Sequence, residues 1–255
     1  MLGSDDIAEA IEAPRAAHWG FLGTLIWGVV ILIIGFILQI VALFAVVLWR
    51  YGDIEKLSGS ELAQVFISTS DSGLGLSVVT FLTTVVGGGL VVGIIKLKKD
   101  SILREYVCIK PVSLATMRNW LGLLGGLLVI EELLAIALGH SRSGSMSVAY
   151  ATANPVWVLW IALVIAAPLF EEMLFRGFLL KGFATSFMGP IGAVFVTSGV
   201  WAVLHVQYDA FDMATVFCSG LLLGTARLVT GSLLVPLALH AAVNLLATVE
   251  VAVFS

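Results

Sequence analysis

Seven uninterrupted apolar runs, at roughly 21–48, 74–95, 119–138, 156–180, 190–207, 211–229 and 232–250, dominate this sequence. A helix needs about 20 apolar residues to cross a bilayer, and each run is close to that length or beyond it. Charged residues make up 12% of the 255 residues and mean hydropathy is +1.08. Soluble domains carry about 25% charged residues, so lipid is the expected solvent. The runs are continuous, whereas β-barrel strands alternate over segments of about ten residues. The expected fold class is therefore all-α, a polytopic membrane bundle of about seven transmembrane helices. Very short links join the last three runs, which should pack as antiparallel neighbours.

Lysine and arginine placement orients the bundle. With the N-terminus inside, the cytoplasmic segments hold nine of them: Arg15, Lys96, Lys98, Lys99, Arg104, Lys110, Arg118, Lys181 and Arg227. The outer segments hold three, Arg50, Lys56 and Arg142, which favours N-in. Residues 1–20 read as an acidic cytoplasmic tail without the basic start of a signal peptide, followed by a retained first span. Residues 21–138 form the N-terminal transmembrane part. Within it the basic stretch 96–118 should lie along the interface. A net charge of −4 argues against a nucleic-acid partner. Cys108 and Cys218 are far apart and read as two apolar thiols rather than a pair.

Against this apolar background a few ionisable residues stand out. A charge at the bilayer centre costs about 2.5–3.5 kcal/mol on insertion scales, so its presence is by default functional. The fourth run contains Glu171, Glu172 and Arg176; the fifth ends at Trp201-Ala202-Val203-Leu204-His205; the seventh contains His240 and Asn244. Glu172 and Arg176 are four residues apart with the acid first, the favoured order for a pair on one helix face. Glu171 points about 100° away and is left for other work. His240 and Asn244 also share a face.

Two chemistries fit this set. Glu171, His205 and His240 resemble a His/His/Glu zinc site with an open position. Alternatively, Glu171 and His205 polarise a water while His240 and Asn244 stabilise the oxyanion. Either route leads to hydrolysis of a peptide bond held near the membrane. The competing readings are polar contacts that glue helices together and a transporter or proton relay using the buried carboxylates. The second of these usually brings repeat symmetry or broken helices, and the sequence shows neither.

Three strings in order carry a family resemblance. EEMLFR (Glu171, Glu172, Arg176) resembles the EExxxR motif of the type II CAAX prenyl endopeptidases, also called the Abi or CPBP family. WAVLH, ending at His205, stands where that family has FxxxH, with Trp201 in place of Phe. HAAVN, with His240 and Asn244, matches HxxxN. The resemblance covers about 155–250 and implies a catalytic core there. It also implies an intramembrane protease of metallo or glutamate type, in the plasma membrane of a prokaryote. Its partners would be membrane lipid and a membrane-associated protein or peptide, of CAAX or bacteriocin type. Glu171 would activate water with His205, His240 and Asn244 would hold the oxyanion, and Glu172 and Arg176 would support the site. Zinc is the cofactor to consider, held by Glu171, His205 and His240, although the motif does not require one. A non-catalytic adaptor or immunity protein of the same family is the alternative.

Other polar residues compete for attention. Glu131 and Glu132 in the third run could answer an arginine, line a cavity or stay protonated. His18 and His140 read as interfacial, Asp209 and Asp212 as solvated, and Gly87–Gly89 as a site of close helix approach. Depth poses a problem. His205 lies fifteen residues past Pro190, about 22 Å, while Glu171 is ten residues, about 15 Å, from Lys181. Residues 183–192 should therefore be partly interfacial, and the site should open toward the cytoplasmic half.

Overall fold

The computed structural model describes residues 17–140 and 145–254; most of the expected cytoplasmic tail, with Arg15, and Arg142 lie outside them. The described residues form helices joined by turns, with no strand among them. In chain order we number α1 Phe21–Tyr51, α2 Gly59–Ser70, α3 Gly73–Leu97, α4 Leu103–Tyr106, α5 Leu114–Leu138 and α6 Ser145–Thr152. These are followed by α7 Val156–Ala184, α8 Gly189–Val203, α9 Ala210–Thr230 and α10 Leu234–Phe254. Six of them (α1, α3, α5, α7, α9 and α10) are long and apolar enough to cross a membrane. The chain is an integral, multi-pass membrane protein.

Local chemistry sets the ends. Ser58 caps α2 in a capping box with Glu61, and these hydrogen bonds lower the Glu61 carboxyl below its usual range. Ser72 and Ser113 cap α3 and α5. The polar helix α2 is not among the expected elements, because its sequence has no long apolar run. Wide apolar faces remain exposed, with Ile26, Ile33 and Phe36 of α1 as examples, as lipid contact requires.

The core is built around α7, which is irregular at two places. The first π turn, Ala162–Ala166, precedes Pro168, and the second, Met173–Leu179, carries Arg176. Proline cannot donate, so in the π register the Leu163 carbonyl loses its helix partner. Asn244 of α10 supplies one, its Nδ2 donating to the Leu163 oxygen at 2.8 Å. The glycines of α3 fit against the same helix. A Cβ on Gly87 would stand 2.5 Å from the Phe170 ring and one on Gly88 2.9 Å from Met173. Gly89 meets open space.

The fifth expected span is short. Helix α8 has 15 residues and ends at Val203, before His205 rather than after it. The His205 ring ends the helix itself, its Nδ1 bonding the Trp201 carbonyl at 2.8 Å. Residues 204–209 then run irregularly to α9. The helix ends on either side of residues 185–188 give a common reference for position along α7 and α8. Glu171 lies thirteen residues before the end of α7 and Trp201 twelve after the start of α8, so both sit about 18–20 Å from that turn. At the other hairpin the turn is recessed: Ser232 is fully buried, Leu233 donates to the Cys108 carbonyl, and Ser232 bonds the Lys110 carbonyl. Cys108 and Cys218 are both free thiols.

Candidate functional site

Trp201 is the hub of the polar set. Its indole Nε1 donates to Glu171 Oε2 at 2.6 Å. The Arg176 guanidinium stacks over its ring at 4.5 Å. The rings of His205 and His240 meet it edge-on at 5.3 and 5.2 Å. Four of the six residues expected from the sequence, Glu171, Arg176, His205 and His240, therefore converge on one indole, from α7, from the turn after α8, and from α10.

Beneath the indole lies a dry charge network. Glu172 and Arg176 are fully buried and joined at 2.9 Å through Oε1 and a terminal guanidinium nitrogen. The same Oε1 receives His240 Nδ1 at 2.9 Å. The other terminal nitrogen of Arg176 donates to the Gly220 carbonyl of α9 at 3.3 Å. A Cβ on Gly220 would lie 2.9 Å from Ser198, and this close approach holds α8, α9 and the arginine together.

In both histidines Nδ1 carries a proton, because the carbonyl or carboxylate it meets can only accept. Glu171 and His205 are half-buried, while Glu172, Arg176 and His240 are buried. Toward the basic end of α7 the site is sealed by Phe178, Leu179 and Leu180. Its accessible side is the 204–209 segment, at the end of α8 away from Lys181.

Asn244 stands one turn beyond His240, with one amide hydrogen committed to Leu163. The metal alternative meets a geometric limit. Among the described residues the gathered donor set is His140, Asp209 and Asp212, with ligand atoms within 4.8 Å of one another; Glu171, His205 and His240 do not form such a set. Their donor types suit zinc but their spacing does not make a cage, so no catalytic step is derived through a metal. His140 lies 3.2 Å from Asp212 and 3.7 Å from Asp209, so Asp212, expected to be solvated, has a side-chain partner. Glu131 is half-buried and Glu132 exposed on α5.

Sequence reasoning missed the donor role of Trp201, the second partner of Glu172, and the Gly220 and Leu163 carbonyls. Backbone partners leave no residue signal. The Trp201 role had one, the Trp that stands in WAVLH where the family has Phe and that adds an N–H donor.

Fold and site together define a helical membrane protein with a buried Glu/His/Arg centre. Comparison with known proteins narrows this. Residues 152–246 match the family described as Type II CAAX prenyl endopeptidase Rce1-like, a protease family, and this segment of the chain is similar to it. An Escherichia coli protein described as "Uncharacterized 24.3 kDa protein" is 37% identical over 83 residues, 31% of this chain and 38% of its own length. The chain thus spans well under half of that relative. No solved structure matches.

Proposed function

We propose that this protein is an intramembrane endopeptidase that hydrolyses a peptide bond of a membrane-associated substrate, using a water activated by Glu171 and His205. The observation that carries this reading is the division of the two adjacent carboxylates. Glu172 is fully buried and spent on Arg176 and His240, whereas Glu171 is half-buried and held by one indole hydrogen bond through Oε2. Its Oε1 is the atom to accept a proton from water, and His205 Nε2 is a second base beside it.

The steps follow from these atoms. Water adds to the scissile carbonyl as its proton passes to Glu171, and the carbonyl electrons become an oxyanion. His240, held through Nδ1 by Glu172, donates to that charge from Nε2 when it enters the reaction already protonated there, and keeps that proton throughout. Asn244 offers its second amide hydrogen. Collapse of the intermediate breaks the C–N bond, and the amine leaves with the proton held on Glu171. Water exclusion by the surrounding apolar helices strengthens each of these interactions.

Substrates of CAAX or bacteriocin type both enter along the lipid, and the resemblance allows either. In purified protein, Glu171→Ala and His205→Ala should abolish cleavage of a membrane-tethered reporter while insertion and thermal midpoint hold. Retained cleavage in Glu171→Ala overturns the proposal and favours a non-catalytic adaptor or immunity role for the same residues.

A further inference from the structure

The segment that carries His205 is short and poorly tied. Leu204, Val206 and Gln207 are exposed, and its backbone bonds are local ones, from Leu204 N–H to Val200, His205 N–H to Ala202 and Tyr208 N–H to His205. What holds its far end is a contact from α5, outside the Rce1-like segment 152–246.

Gly139, with φ of 64°, ends α5 and turns the chain into His140. The His140 ring packs on Phe211 at 4.5 Å between centroids. Its Nε2 stands 3.2 Å from Asp212 Oδ1 and its Nδ1 3.7 Å from Asp209 Oδ2. Asp209 in turn caps α9, its Oδ1 accepting from the backbone N–H groups of Phe211 and Asp212 at 2.9 and 3.0 Å. One imidazole thereby fixes the first turn of α9 to the end of α5. Next to Asp209, Tyr208 stacks on His205 at 5.5 Å with 23° between the rings. Burial raises the Tyr208 phenol, and the carboxylates of Asp212 on one side and Glu171 on the other raise it further. Tyr208 therefore stands between the His140 cluster and the site.

We propose that His140 is a positioning residue: by latching Asp209 and Asp212 to the end of α5 it fixes Tyr208, and through Tyr208 the ring of His205. The inference rests on the proteolytic reading for its rate effect, though not for its structural effect. The His205 ring has two supports, the Trp201 carbonyl behind it and Tyr208 in front. Loss of the latch frees the second. A misplacement of about 1 Å at a catalytic group can cost up to about a hundredfold in rate. Because the first support survives, about tenfold is expected here.

The test uses the full chain in lipid nanodiscs with two readouts. The first is turnover of a membrane-tethered reporter peptide; the second is amide hydrogen exchange across 204–212. His140→Ala should lower kcat about tenfold at unchanged KM and thermal midpoint, and speed exchange in 204–212 alone. His140→Gln, which keeps a donor toward Asp212, should restore most of both. Asp212→Ala combined with His140→Ala should be no worse than either alone. His18→Ala, at the opposite end on Thr185, serves as control and should change neither readout. Unchanged exchange in His140→Ala overturns the latch, as does a kcat loss that tracks a fall in thermal midpoint or that His140→Gln fails to restore. Failure of the proteolytic reading is separable: the unaltered protein then shows no turnover, while the exchange readout still decides the latch.

Discussion

Glu172→Gln removes one charge from a site that water does not reach. The amide keeps the carboxylate's shape, and its oxygen can still accept from Arg176 and from His240 Nδ1. What remains is a fully buried guanidinium that has lost its direct ion pair and keeps only the half-buried Glu171 as an anion nearby. Breaking one partner of a buried pair costs about 3–5 kcal/mol, because the other charge is left uncompensated. Two contacts soften that loss here, the Gly220 carbonyl at 3.3 Å and the Trp201 face at 4.5 Å. A desolvated cation–π contact is worth about 2 kcal/mol but is present before and after the change, so it limits relaxation rather than adding new stability. We therefore expect about 3 kcal/mol, the lower end of the range. Glu171→Gln should cost under about 1 kcal/mol, since a half-buried amide still accepts from the indole. Adding Arg176→Met to Glu172→Gln should recover much of the loss. Reversible unfolding in mixed micelles, titrated with a denaturing detergent, measures all four proteins. Equal losses for Glu171→Gln and Glu172→Gln would refute the division of labour between the two carboxylates.

Three further outcomes follow from the geometry. Asn244→Ala orphans the Leu163 carbonyl and should cost about 1–3 kcal/mol in the same unfolding assay. It should also lower kcat more than it raises KM if the second amide hydrogen meets the oxyanion. Incubation with a strong chelator followed by gel filtration should leave turnover intact, because Glu171, His205 and His240 do not gather as a ligand set. Loss of turnover with recovery on adding zinc would show that the site rearranges around a metal. Tyr106, buried at the end of α4, has its phenol pushed up to about 12 from 10 by that burial. Its neutral form is favoured in the fold, so stability is fully present below pH 10 and falls as pH rises toward 12. Tyr106→Phe should flatten that decline, measured as thermal midpoint against pH.

Much of the architecture was legible because lipid imposes a simple rule. The runs at 21–48, 74–95 and 211–229 became α1, α3 and α9 with ends shifted by a few residues. The fifth run failed at its end, since hydropathy cannot see that His205 bonds the Trp201 carbonyl and stops the helix four residues early. The polar helix α2 escaped for the opposite reason, being held by Ser58 and Glu61 rather than by an apolar stripe. In the site, spacing of four residues put Glu172 with Arg176 on one face. No local spacing could place His240 on Glu172, a contact made across 68 residues. His140 and Asp212 are 72 residues apart and were read separately as surface groups. The Leu163 carbonyl became an acceptor only because Pro168 sits where the helix turns π, which couples a backbone irregularity to Asn244.

The central claim is that Glu171 activates the hydrolytic water. It is tested most directly by single-turnover cleavage in nanodiscs, comparing the unaltered protein with Glu171→Gln on a prenylated CAAX reporter peptide and on a bacteriocin-precursor peptide. The account predicts cleavage of at least one peptide by the unaltered protein. It predicts a rate lower by at least about a hundredfold in Glu171→Gln, at the same thermal midpoint. A Glu171→Gln protein that cleaves at the unaltered rate would contradict it.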